Sequence, residues 1–238
     1  MAQITPISSL RPSTKPAKSP KAVFYLLAGP NGAGKSTLYK ALTLQGTIPA
    51  SAEFVNADLH EAAHLQHVAD PQARSEEARL WADARRAELL KAGQSFVSET
   101  VFSHESKLAL IEEAQQLGFF VMLIVVCLDD PQRLLARVAG RVTEGGHAVP
   151  PERILARYPR TLANLAVAVR LADLAILYDS EVVSLGTHKA VAICRRDWTE
   201  EKVNPLPAWV LTVLSGIGGA AGLETSPKFD LAPVVRTP

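Results

Sequence analysis

The sequence predicts an α/β protein: a parallel sheet with helices packed on both faces. Three observations carry that prediction. Segments such as AVFYLLA (22–28), FFVMLIVVCL (119–128) and DLAILYD (173–179) are apolar throughout, as strands buried on both faces must be. Helical stretches separate them, the pattern of strand–helix–strand crossovers. A glycine-rich turn, GPNGAGKS (29–36), lies between the first strand and the first helix.

In chain order, residues 1–21 are rich in Pro, Ser and Lys and read as a disordered leader. The domain spans 22–200. After the glycine loop a helix begins near Lys35, and EFVNAD (53–58) reads as a short strand. Leu80, Ala84, Ala87 and Leu90 follow helical spacing over roughly 74–92, with Gly93 as the stop. SFVSE (95–99) is the next strand, followed by a helix over about 104–117 and the strand 119–128. Asp130-Pro131 combines a capping oxygen with proline at the first helical position. TEGGHAVPPE (143–152) is too polar for core, a helix covers much of 152–171, and strands at 173–179 and KAVAIC (189–194) close the set. Residues 201–238 form a tail of uncertain structure.

Composition excludes several function classes. The 238 residues are 47% hydrophobic and 21% charged, with a formal net charge of +1, so no overall field selects a polyanion or a membrane. No aromatic-studded basic strip suits a nucleic acid. The run LPAWVLTVLSGIGGAAGL is too short and glycine-rich to span a bilayer well. Without a signal-type leader, the cytoplasm is expected, with Cys127 and Cys194 as buried free thiols.

The chemistry starts at the loop. Gly29, Pro30, Asn31, Gly32, Ala33, Gly34, Lys35 and Ser36 fit G-x-x-x-x-G-K-[ST], with Thr37 next. Such a loop turns backbone N–H groups toward phosphate oxygens at a helix amino terminus. Lys35 would reach the β- and γ-phosphates, and Ser36 would join a Mg²⁺ shell. ATP or GTP is therefore the expected cofactor, with Mg²⁺. A transporter-type motor shares this loop wording. Its glycine signature precedes the acidic strand, however, and here LSGIGG (214–219) follows VVCLDDP (125–131).

LDDPQRLLARVAGR (128–141) fits a phosphotransfer enzyme better, as strand, capped helix and arginines leading into a helical lid over TEGGHAV. Arg137 and Arg141 share a helical face, and Arg153, Arg157 and Arg160 recur along another. The resulting fold class is a P-loop kinase-type parallel sheet, flanked by helices, with that lid. Asp58 is the expected base, at the end of a strand taken to neighbour the loop strand. Glu99 and Thr100 end another strand in the same sense. His104 reads either as a substrate contact or as part of a helix's first turn; His147 lies in the lid, within reach of phosphate. His60, His64 and His67 share a helix face without completing a metal site, and Asp70, Glu76 and Glu77 read as solvated surface. Trp81 and Leu89 are expected in the core. A different phosphoryl acceptor, or a non-enzymatic nucleotide-gated module, would use the same loop.

Taken in order, GPNGAGKST, FVNAD, SFVSETVFSH, the LDDP-to-RVAGRV helix, GGHAVP, and RYPRTLANL before LADLAILYD resemble the zeta-toxin kinases of bacterial toxin–antitoxin systems. That resemblance implies transfer of a γ-phosphoryl group to a hydroxyl of UDP-N-acetylglucosamine, a sugar-nucleotide substrate, and a separately encoded antitoxin as partner. By position it implies Lys35 and Ser36 at nucleotide and Mg²⁺, Asp58 as catalytic base, Glu99 and Thr100 at the sugar, and Arg141 ahead of Arg157 and Arg160 at the phosphates. Pro159 departs from it, because a proline inside a helix kinks or breaks it.

Overall fold

A computed structural model describes residues 21–143, 149–181, 187–196, 198–215 and 234–236. Its elements run β1 (Val23–Ala28), α1 (Lys35–Leu44), β2 (Glu53–Val55), α2 (Ala57–His64), α3 (Pro71–Ala92), β3 (Phe96–Thr100), α4 (Ser106–Gln116) and β4 (Phe120–Cys127). They continue as α5 (Pro131–Thr143), α6 (Pro151–Leu171), β5 (Leu174–Asp179), β6 (Thr187–Arg195), β7 (Trp198–Glu201), α7 (Ala208–Ser215) and β8 (Val234–Arg236). The proposed leader and most of the proposed lid, His147 included, lie outside the described residues.

The sheet has eight strands in the order β2-β3-β1-β4-β5-β6-β7, with β8 also paired to β6. β2 through β5 are mutually parallel, which bears out the predicted fold. β6 runs antiparallel to β5, because the short connection between them leaves no room for a crossover helix. Two apolar layers cover the faces. Phe24, Leu26, Phe96, Val121, Leu123, Leu165 and Trp209 belong to one; Leu27, Leu38, Val97, Ile124, Leu134 and Ile154 belong to the other.

One expectation is corrected. The strand leading to Asp58 does not neighbour the loop strand: β2 pairs with β3, and β3 separates it from β1. The reason is burial. Phe96 and Val97 are buried on opposite faces and Phe96 stacks on Phe24 at 4.6 Å, so β3 takes the inner position. The three-residue β2, with its half-exposed Glu53 paired to Arg85 of α3 at 2.7 Å, suits the edge.

Asp70 is solvent-exposed as expected, and it also caps a helix: its carboxylate accepts from the backbone N–H groups of Gln72 and Ala73 and starts α3 three residues earlier than the periodicity predicts. Leu89 is core as expected, whereas Trp81 is half-buried. Pro159 sits within α6, yet the helix runs from Pro151 to Leu171 as one element. Its missing N–H falls on an exposed part of the helix, so proline does not end it here. Both cysteines are free and buried. Burial pushes the Cys127 thiol up to about 12 and Cys194 up to about 11, which leaves both unreactive.

The described residues past 200 include regular elements. β7 runs to Glu201, and α7 packs on α6 with Trp209 fully buried. Asp129 caps that helix, accepting from the N–H groups of Ala208 at 3.0 Å and Trp209 at 2.6 Å.

Candidate active site

The carboxyl ends of β1 and β3 and the start of α2 enclose a cavity of about 350 Å³. Its floor is the glycine loop. Gly29 must be glycine because its φ is 147° and a Cβ would lie 2.0 Å from the Val126 carbonyl oxygen of β4. Gly34, at φ 93°, turns the chain into α1 and precedes Lys35 and Ser36, which line the cavity with Thr37. The loop is thus locked against β4 while its last residues open to the cavity.

Lys35 is almost fully buried. Its ammonium donates to the carbonyls of Gly29 at 3.0 Å and Pro30 at 3.1 Å, and lies 3.6 Å from the Glu99 carboxylate. Glu99 is the hub of the site. It also accepts from Ser36 Oγ at 3.2 Å and from Asn56 Nδ2 at 3.0 Å, tying the loop to the β2–α2 corner. Position in the sheet explains this: β3 is the strand beside β1, with Glu99 in register with Leu27.

Asn56 in turn starts α2. Its side-chain oxygen accepts from the Leu59 N–H at 3.1 Å. The capping role that an Asp at this junction could serve is therefore already filled. Asp58 stands in the first turn of α2, exposed, lining the cavity, with no side-chain hydrogen bond among the described residues. α2 is held in place by α3. Arg74 pairs with Glu61 at 3.1 Å, and His60 stacks on Trp81 with centroids 3.8 Å apart and planes 6° off parallel. His60 is thus a packing residue, and no group of His, Cys, Asp and Glu among the described residues could hold a metal by itself.

On the opposite wall, α5 contributes Arg137 and Arg141, both lining the cavity. Arg137 is fixed by Ser180, donating to its hydroxyl at 3.1 Å and its carbonyl at 2.7 Å. Arg157 and Arg160 do not line it: Arg160 bonds back to the Ala156 carbonyl at 3.2 Å, and Arg157 is half-buried, with burial and then Arg153 and Arg160 holding its pKa down. His104 is also outside the cavity lining, its Nδ1 engaged with Ser106 at 2.9 Å.

Thr100 does line it. Its Oγ1 accepts from the N–H of Phe102 at 3.1 Å, across a turn in which Phe102 takes a φ of 62°. A bulky side chain in the left-handed region is strained. Thr161 and Asn164 of α6 hold that turn by donating to the carbonyls of Val101 at 3.1 Å and Phe102 at 3.0 Å. Asn56 is a site residue that the sequence reading missed, although its place just before a helix is a capping signal; Arg137, read there with Arg141 as one arginine face, lines the cavity with it. His188 had no such signal. It is fully buried on β6 against the glycine loop, and Nε2 lies 2.9 Å from where a Cβ on Gly34 would stand.

With this geometry in hand, comparison with known proteins decides the family. The Zeta toxin family model matches residues 8–189. The chain belongs to the Zeta toxin family. No curated protein is similar in sequence. Among solved structures, the PezAT chromosomal toxin–antitoxin system of the human pathogen Streptococcus pneumoniae is similar at a TM-score of 0.51 and 14% identity, over 68% of this chain and 69% of that one. The AvrRxo1-ORF1:AvrRxo1-ORF2 complex is similar at a TM-score of 0.53 and 19% identity, over 76% of this chain and 61% of that one, and the same protein is known with ATP. At these identities the likeness is one of fold, that of a P-loop kinase. No described helix is long and apolar enough to cross a membrane.

Proposed function

We propose that this zeta-toxin family member is a kinase that transfers the γ-phosphoryl group of ATP or GTP to a hydroxyl of a UDP-amino sugar, with UDP-N-acetylglucosamine as the expected acceptor. One observation carries the transfer reading: Asp58 lines the same cavity as Lys35 and Ser36, while Asn56 relieves it of the helix cap. Family membership and the P-loop kinase fold support a phosphotransferase, and a toxin–antitoxin pairing with a separate antidote protein fits the PezAT likeness.

The residues divide the work. Backbone N–H groups of the glycine loop would cradle the phosphates, with Lys35 swinging from the Gly29 and Pro30 carbonyls toward them. Arg137 and Arg141, across the cavity, would hold phosphoryl oxygens as charge moves during transfer. Asp58 would accept the proton of the attacking hydroxyl. Ser36 and Glu99 offer hard oxygens 3.2 Å apart beside the loop, which suits Mg²⁺, an ion that takes few protein ligands and keeps phosphate oxygens and waters. Bound there, it would neutralise charge on the β- and γ-phosphates. Thr100 and Glu99 then face the acceptor, with Glu99 also setting the position of Ser36.

Mass spectrometry of UDP-sugars incubated with ATP and Mg²⁺ tests this. A mass gain of one phosphoryl group is expected on UDP-N-acetylglucosamine. Asp58→Asn is expected to lower the transfer rate by roughly 10²- to 10⁴-fold with nucleotide affinity retained. Transfer that survives this substitution would remove Asp58 as the base.

A further inference from the structure

Behind the acceptor wall lies a second, smaller cavity whose cationic side chains the transfer machinery does not use. It has a volume of about 100 Å³, shares Ala57, Glu99 and Thr100 with the first, and extends between α3 and α4. Three cationic side chains line it: Arg79, Arg86 and Lys107. At about 30 Å³ per water, that is room for roughly three waters, the scale of one tetrahedral oxyanion.

The charges here are not all answered. Asp83 serves both arginines, since Arg79 and Arg86 each pair with it, and Arg79 also pairs with Glu76 at 2.5 Å. Glu99 is taken by Lys35, Ser36 and Asn56. Lys107 has no carboxylate within ion-pair distance among the described residues, although it is half-buried. Burial, and then the nearby Arg86, depress its pKa, so an anion placed between them would relieve both.

Arg86 is the second, independent sign. It is 7% exposed, its Nη1 reaches the buried Ser98 hydroxyl at only 3.4 Å, and its Nε has no hydrogen-bond partner. A buried guanidinium donor lining a cavity and lacking an acceptor is unusual, because buried polar groups are nearly always satisfied. A planar guanidinium beside an ammonium suits a phosphoryl oxyanion, which takes both a forked and a point contact.

We propose that Arg86 and Lys107 form an anion subsite that anchors a phosphoryl group of the acceptor while its hydroxyl lies at Asp58. This rests on the kinase reading above. It adds that recognition at this end is electrostatic, and that neutral sugars and nucleosides are poor substrates. Arg79 also lines the cavity, but it is exposed and already paired with Glu76 and Asp83.

The test loads the full-length protein with a non-hydrolysable ATP analogue and Mg²⁺, so that the glycine loop is occupied, and titrates inorganic phosphate by calorimetry. Saturable binding is expected, weakened at least tenfold by Lys107→Gln and kept within about threefold by Lys107→Arg. Equal thermal stabilisation of both variants by the analogue checks that each is folded. In transfer assays, phosphate should raise the acceptor KM without lowering kcat. No saturable binding, equal binding by Lys107→Gln, or inhibition that leaves the acceptor KM unchanged would each overturn the proposal. Phosphate binding through Lys107 in a protein that phosphorylates no acceptor would instead remove the kinase reading and leave an anion site; transfer without phosphate binding would do the reverse.

Discussion

Two pairs of carboxylates stand at the carboxyl edge of one sheet and have opposite fates. Glu99 at the end of β3 and Asp58 just past β2 line an open cavity beside the glycine loop. Asp129 just past β4 and Asp179 at the end of β5 face a helix instead. Asp129 caps α7, and Asp179 accepts the indole N–H of Trp209 at 3.1 Å. Burial raises the Asp179 pKa, as expected of a carboxylate packed under a helix. Strand-end position makes an acid available for chemistry. What next covers that strand end decides whether the acid is used.

Substitutions on the two sides should therefore separate activity from stability. The largest effect is the loss of transfer in Asp58→Asn, which should leave the unfolding midpoint within a degree or two. A smaller carboxylate effect on rate than on stability would erase the contrast. On the α7 side, Trp209→Ala opens a fully buried site against α6 and should cost about 3–5 kcal/mol, read by urea unfolding, while nucleotide affinity is kept.

His188 lies between the two regions, under Gly34 and near Arg137. Burial pushes its pKa down to about 4, opposed by the Gly34 backbone and helped by Arg137. The unfolded chain then binds the proton that the folded one refuses. Stability from the neutral ring is complete above about pH 6.5 and is lost as the pH falls toward 4. The wild-type stability advantage over His188→Leu should fall by about 3 kcal/mol between pH 7 and pH 4. A pH-independent difference would mean that the ring does not stay neutral as the fold tightens. The smallest effect is at the cap: Asp129→Ala should cost about 0.5–2 kcal/mol, lowering the midpoint with kcat unchanged.

Legibility in the sequence followed how local the cause was. The glycine loop, the apolar strands and the Asp130-Pro131 start of α5 depend on residues within a few positions of one another, and all are where the sequence implies. The misplacement of β2 had another origin. EFVNAD and SFVSE read alike, and only the burial of Phe96 and Val97 between neighbours makes the second the inner strand. Asp58 stands where an acid could cap α2, and only the folded chain gives the Leu59 N–H to Asn56 instead.

The sequence by itself determined a phosphate loop, a parallel sheet and a set of acids and arginines in an order shared with one family. Those features rest on backbone geometry and burial pattern, which neighbouring residues dictate. Tertiary structure alone decided that Glu99 binds Lys35, Ser36 and Asn56, that Arg137 and Arg141 rather than Arg157 line the cavity, and that Asp129 caps a helix 79 residues further on. Such pairings join distant segments, and a hydrogen bond forms where packing brings its partners together.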